Sequence, residues 1–405
     1  MRCNARILVL LALVLVEPVR AEPLATLPQA FAAAWARHPL SQSLPLQRSA
    51  AAARLDAAAA WTPEPTALEI GGRSDRFNRD RGAEEVELGL AVPLWLPGER
   101  SASRALAAAD SGLLEGRAGS LRLQLAGELR AAWWDWQLAR DEAALAEATA
   151  ASAARLRDDV ARRVAAGDLA RADLHQAAGA LAAAEADQAE AAVRVEAAAA
   201  RLQWLTGSAP GVVELRPEMP PAEAADWLAA HPALAELNAR AEQARQTQEL
   251  ARTRSRANPE LTVATRRERG ASGEAAERSW SLGLRIPLAS GPRHTAAIAE
   301  AGADRVEAEL AAGREGERLQ QAAQLARSQW QAAERRRQAS DERARLARET
   351  QAFFDKAFRL GESDLPTRLR IAQETLAAER AASRARIQQA AALSAYRQAL
   401  GLLPE

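Results

Sequence analysis

The chain has 405 residues, with 53 basic and 53 acidic side chains and no net charge at neutral pH. That balance excludes the global fields that draw proteins onto nucleic acid or anionic surfaces. Length alone suggests two or three domains, and the single cysteine, Cys3, excludes disulfides and thiolate metal sites from a chain that loses its first residues.

Arg2 and Arg6 make a positive start, residues 7–16 an apolar core, and Val19-Arg20-Ala21 a small-residue cleavage site. Residues 1–21 therefore read as a secretory signal, with Glu22 starting the mature chain. The apolar core is too short for a transmembrane helix, which needs ~20 residues. A helix follows, then two short strands at about 66–73 and 85–93. In the second, Val86, Leu88, Leu90 and Val92 alternate with Glu85, Glu87, Gly89 and Ala91, the period of a strand with unlike faces. Beyond Pro97 no proline occurs before Pro210, and Ala, Leu, Arg, Glu and Gln dominate. That predicts a very long helix, a turn at 164–170 and a returning helix. Leu174, Leu181, Val195 and Leu202 share a heptad register, as in a coiled-coil seam.

After a linker at 208–221 the pattern starts again. Strands are expected at about 260–267 and 278–288, the second with Trp280, Leu282, Leu284 and Ile286 on one face. Another long helix follows, with Leu346, Phe353 and Leu360 in heptad register, and a turn at 358–365. Val92-Pro93-Leu94 recurs as Ile286-Pro287-Leu288, Gly167 as Gly361 and Gly207 as Gly401, each pair offset by 194 positions. Residues 22–207 and 222–405 are thus two structural repeats of helix–strand–strand–long helix–turn–helix, mostly α with a small β element.

Strands with one apolar face fit a soluble sandwich or the wall of a transmembrane barrel. Export without an apolar helix favours the barrel, as do Trp61, Trp95 and Trp280 near strand ends. Four strands cannot close a barrel, and lipid does not tolerate an open sheet edge, so closure needs several chains.

The duplication, the VPLWLPGER run at 92–100 with its counterpart IPLASGPR at 286–293, and the turns RVAAGDLARADL (163–174) and RLGESDL (359–365) resemble the TolC-like outer-membrane efflux proteins. The resemblance covers essentially the whole mature chain. It implies a homotrimer: a twelve-stranded outer-membrane β-barrel continuing into a coiled-coil α-helical tunnel in the periplasm. It also implies a passive exit duct that docks onto a periplasmic adaptor and, through it, an inner-membrane pump of the resistance-nodulation-division type. Pro97-Gly98-Glu99-Arg100 looks most like the heavy-metal, cobalt–zinc–cadmium branch, implying export of heavy-metal cations.

By the same resemblance the turns at Gly167 and Gly361 are the adaptor-binding tips, with Leu169, Asp364 and Leu365 beside them and both leucines offering exposed apolar contacts. Some family members narrow the tunnel with aspartates six and nine residues after the second tip glycine. Thr367 and Arg370 stand there in this chain. The constriction would then be a cationic ring of Arg370, or an acidic one nearer the tip from Glu362 and Asp364. Alternatively, Arg370 simply pairs with Glu374 at i, i+4.

His38, His175, His231 and His294 lack ligand spacing, so no metal site is expected. Arg335-Arg336-Arg337 is interleaved with acids and reads as a solvated helical face rather than a nucleic-acid patch. Trp133, Trp134 and Trp136 read as packing. No nucleophile–base pair or phosphate loop indicates an enzyme or a cofactor. Two functions stay open: an export duct in the outer membrane, with a large periplasmic portion, or a periplasmic coiled-coil scaffold without a channel.

Overall fold

The computed structural model describes residues 24–77, 80–211, 216–221, 226–288 and 291–404. The signal expected at 1–21 lies outside them, as does part of the 208–221 linker. In chain order the elements are α1 (Leu27–Arg37), α2 (Pro39–Ala58), β1 (Ala67–Ser74), β2 (Glu84–Pro93), α3 (Glu99–Ala166), α4 (Arg171–Thr206), α5 (Pro232–Thr253), β3 (Glu260–Arg269), β4 (Glu277–Arg285), α6 (Pro292–Leu360) and α7 (Leu365–Ala399). The second-repeat helix expected before the strands is α5, and its first-repeat counterpart is α2; in the first repeat a separate helix, α1, precedes it across a break at His38-Pro39.

That break has a local cause. Proline disfavours helical backbone in the residue before it but suits the first turn of a helix. His38 is extended, at ψ 132°, and starts α2 by accepting the Leu40 amide on Nδ1 at 3.2 Å. His231, before Pro232, caps α5 in the same way through the Ala233 amide at 3.2 Å. Each repeat ends against this start. Gly207 and Gly401 terminate α4 and α7 with positive φ, 79° and 78°. A Cβ on Gly207 would lie 2.5 Å from Arg37 Nη1, and one on Gly401 2.8 Å from His231 Cδ2. Only glycine meets both demands, the left-handed backbone and the close approach.

α3, with 68 residues, and α6, with 69, each run about 100 Å at 1.5 Å per residue. α3 pairs with α4 and α6 with α7; α3 also packs on α5 and α7, and α5 on α6. The seam of α4 is built as much from alanine as from leucine. Ala177, Ala184 and Ala191 are buried at heptad spacing, three residues after Leu174, Leu181 and Gln188, where small side chains let the backbones approach. On α6 the expected seam faces outward: Leu346, Phe353 and Leu360 are exposed, whereas Ala344 and Phe358 are buried. The largest core lies near the middle of α3. Trp133, Trp134 and Trp136 pack there with Phe31, Leu129, Leu202 and Ile387, and Trp134 Nε1 donates to Ser394 Oγ at 2.8 Å.

The strands form one antiparallel sheet in the order β1-β2-β3-β4. The two repeats meet at its centre, where β2 and β3 pair from Glu84↔Arg269 to Pro93↔Glu260. β1 and β4 are edges without a strand partner among the described residues.

Candidate functional site: hairpin tips, joint and sheet

At the α3–α4 tip Gly167, φ 85°, ends the helix, and the Asp168 amide reaches back to the Arg163 carbonyl at 2.9 Å. The α6–α7 tip repeats this, with Gly361 at φ 77° and the Glu362 amide on the Ala357 carbonyl at 2.9 Å. A left-handed glycine closed by such a reverse bond turns the chain within a few residues. The next helices begin with carboxylates. Asp173 accepts the Ala170 amide at 3.0 Å, and Asp364 accepts the Thr367 amide at 3.1 Å. The Thr367 hydroxyl and amide hold the Asp364 carboxyl below its usual range.

The tip leucines are not the exposed contacts expected. Leu365 is 1% exposed and packs with Val160, Ala177 and Phe358, and Leu169 lies half-buried against the same cluster. The reason is that four helices meet at the tips and leave an apolar gap between the hairpins. Leu365, the first residue of α7, fills it. Phe358 has Arg163 and Arg368 over its ring, both at 4.9 Å, with Arg368 held by Asp355 at 2.7 Å. The Arg163 contact, from α3 to α6, ties the two hairpins together, while that of Arg368 braces the second hairpin from within. What the tips expose is Leu360, Gly361, Glu362 and Asp364 from the second repeat, and Gly167, Asp168, Ala170 and Arg171 from the first. Arg370 donates to Glu374 at 2.6 Å, both more than half exposed, so in the single chain it is one half of an i, i+4 ion pair. Thr367 is half-buried.

The run at 97–100 has a role that its sequence did not disclose. Glu99 is fully buried. It accepts the Leu96 amide at 3.1 Å, Arg254 Nε at 2.7 Å and Asn258 Nδ2 at 2.6 Å. Arg100 donates to the Ala59 carbonyl, and Trp95 Nε1 to the Ala60 carbonyl at 3.1 Å. The motif thus binds the ends of α2 and α5 to the start of α3, where helices give way to strands. Trp95 is therefore engaged within the protein, whereas Trp61 and Trp280 are 93% and 75% exposed. Among the described residues, no three His, Cys, Asp or Glu side chains are close enough to hold a metal ion, and no helix is long and apolar enough to cross a membrane.

The sheet has two unlike faces. The register places Ile70, Leu88, Thr265 and Trp280 in one row, Leu68, Leu90, Val263 and Leu282 in the next, and Val92, Leu261 and Leu284 nearest the helices. No helix covers this face: Ile70 and Leu282 are 71% and 76% exposed. The other face carries Glu69, Glu85, Glu87, Arg266, Ser279 and Ser281, with Arg266 bonded to Glu85 at 3.0 Å and Glu87 at 3.3 Å.

Residues 32–208 match the family described as outer membrane efflux protein. No curated protein matches in sequence. Among solved structures, the outer membrane protein VceC of Vibrio cholerae superposes with a TM-score of 0.75 at 16% identity, over 94% of this chain and 97% of that one. CusC, described for transmembrane channel formation, gives 0.78 at 15% over 93% and 92%. The MtrE outer membrane channel of Neisseria gonorrhoeae gives 0.75 at 17% over 93% and 89%. Identities this low establish the fold.

Proposed function

From the match of residues 32–208 to the outer membrane efflux protein family we propose that the chain is a member of it and the passive exit duct of a tripartite efflux system. Three copies would each contribute four strands to a twelve-stranded barrel in the outer membrane, with the long helices continuing as a periplasmic tunnel. The observation that carries this is the sheet: two unpaired edges, one uncovered apolar face and one charged face. Lipid forbids such edges, whereas closure by neighbouring copies removes them. A periplasmic scaffold would leave the apolar face in water, and none of the described residues covers it. Mass measurement in detergent should give a trimer that resists carbonate extraction. A stable monomer with intact strand content, or a protein washed off by carbonate, would overturn the proposal.

We place the partners at the two ends. The tips, with Gly167, Leu169, Gly361, Asp364 and Leu365, are proposed to meet a periplasmic adaptor and through it an inner-membrane pump of the resistance-nodulation-division type. Because Leu365 is buried and Leu169 half-buried against the same cluster, acidic substitution there would disrupt the tip rather than probe it. Leu360→Asp with Glu362→Arg, both exposed, should keep the fold and abolish adaptor binding and efflux. The constriction is proposed at Glu362, Thr367 and Arg370. Heavy-metal cations are the substrate class we propose from the resemblance at 97–100. Glu99 and Arg100 themselves serve the joint, so an export assay across metals and organic cations is the test.

A further inference from the structure

On the apolar face of the sheet, one row toward the interstrand loops from Trp280, Arg267 stands directly opposite Arg278. Like charges opposite each other across a strand pair repel and destabilise it. Both side chains are exposed. Among the described residues neither is paired with a carboxylate, although four carboxylates stand on adjacent positions of the paired strands. Glu85, Glu87, Glu268 and Glu277 all fall on the other face, by the alternation that the register fixes. Glu84 shares the arginine face, but it is taken by Arg269 at 3.3 Å. Beside Arg267, on the side away from Arg278, lies a cleft of about 100 Å³ lined by Glu84, Val86, Arg267, Arg269 and Ala276.

We infer that Arg267 and Arg278, above Trp280, form a docking site for the phosphate-bearing headgroup of a membrane lipid. The inference rests on the sheet being a membrane wall, as proposed above. In that setting the three rows beneath are the acyl-chain level, and Trp280 sits where aromatic side chains anchor at the interface. Two guanidinium forks then face the headgroup level, the one carboxylate on their face, Glu84, being paired with Arg269. A phosphate presents several acceptor oxygens to both forks, which satisfies their donors and removes their mutual repulsion. The site would recur once per protomer around the barrel.

Bilayer discs of phosphatidylcholine containing either phosphatidic acid or diacylglycerol test this, because the two additives differ only by the phosphate. Wild type and Arg267→Gln/Arg278→Gln are inserted into each, repurified, and their retained lipid is measured by mass spectrometry. The wild type should enrich phosphatidic acid about tenfold over its bulk fraction, and diacylglycerol not at all. The double variant should insert equally well and lose the enrichment, which Arg267→Lys/Arg278→Lys restores in part. Equal retention by wild type and Gln variant, or no phosphate preference, would mean that the arginines merely reach bulk water and would overturn the site. Failure of the wild type to enter either disc would instead overturn the membrane wall, and the site with it.

Discussion

α3 and α6 are near copies in length and place, yet 20 residues of α3 are buried against 8 of α6. α3 receives α1, α2, α4, α5 and α7 along its flanks and carries the tryptophan core and the Glu99 joint. Six of the eight buried residues of α6 are alanines, and its Leu310, Leu325 and Phe353 are 60%, 59% and 73% exposed. Since length and plan are shared, the difference lies in what each helix covers. The first repeat holds the chain together, whereas the second leaves apolar surface uncovered, which the proposed trimer would bury.

Matched substitutions sharpen the contrast. Trp134→Ala removes a 5% exposed ring and its bond to Ser394 and should cost about 4 kcal/mol. Trp330 lies on α6, 196 positions after Trp134, and is its approximate counterpart in the second repeat. Trp330→Ala loses mainly a stacked contact with Tyr396 at 5.9 Å and should cost about 2 kcal/mol. Denaturant titration in detergent checks both, and equal costs would break the comparison. Next in size, Glu99→Ala strands the Leu96 amide and Asn258 in the joint and should cost about 3 kcal/mol. Leu310→Asp with Leu325→Asp should change the intrinsic stability of the chain by less than about 0.5 kcal/mol while abolishing trimers in detergent. A stable trimer of that variant would show the α6 surface to be idle.

A smaller effect depends on pH. Burial lowers the His231 pKa from the ordinary value near 6.5, opposed by Glu315 and reinforced by Arg318. The cap needs Nδ1 free to accept, and the unfolded chain takes up the proton first. Stability contributed by this group is therefore complete above about pH 6.5 and falls as the pH drops below it, until the folded pKa is passed. His231→Asn keeps a capping acceptor without titrating, so its melting should lose that slope below about pH 6.5. Smallest is Arg370→Ala. If the tunnel face includes Arg370, removing it uncovers Glu374, and single-channel recordings should shift toward cation selectivity. Unchanged conductance and reversal potential would leave only the ion pair, whose loss costs at most ~0.5 kcal/mol.

The long helices and the strand faces were legible because proline-free runs and period-2 alternation are local signals. What escaped depends on partners. The alanines at 177, 184 and 191 carry the α4 seam but are too small to stand out as a hydrophobic stripe. Leu365 in a polar turn looks like an exposed contact until Phe358 and Val160 are brought over it. Glu99 looks like a surface acid within a family motif, and only the meeting of α2, α3 and α5 makes it an internal anchor. The break between α1 and α2 was signalled by Pro39 and was readable in principle.

The sheet joins the repeats through a run of ten facing pairs between β2 and β3. Its free margins are shorter, with 8 residues in β1 and 9 in β4. In the proposed trimer the ring is therefore pseudo-sixfold, a cycle of half-subunits with two kinds of seam in alternation. One kind is covalently tethered and long; the other is untethered and short. Under denaturant the ring should part first along its short seams, releasing whole chains with both repeats still zipped together.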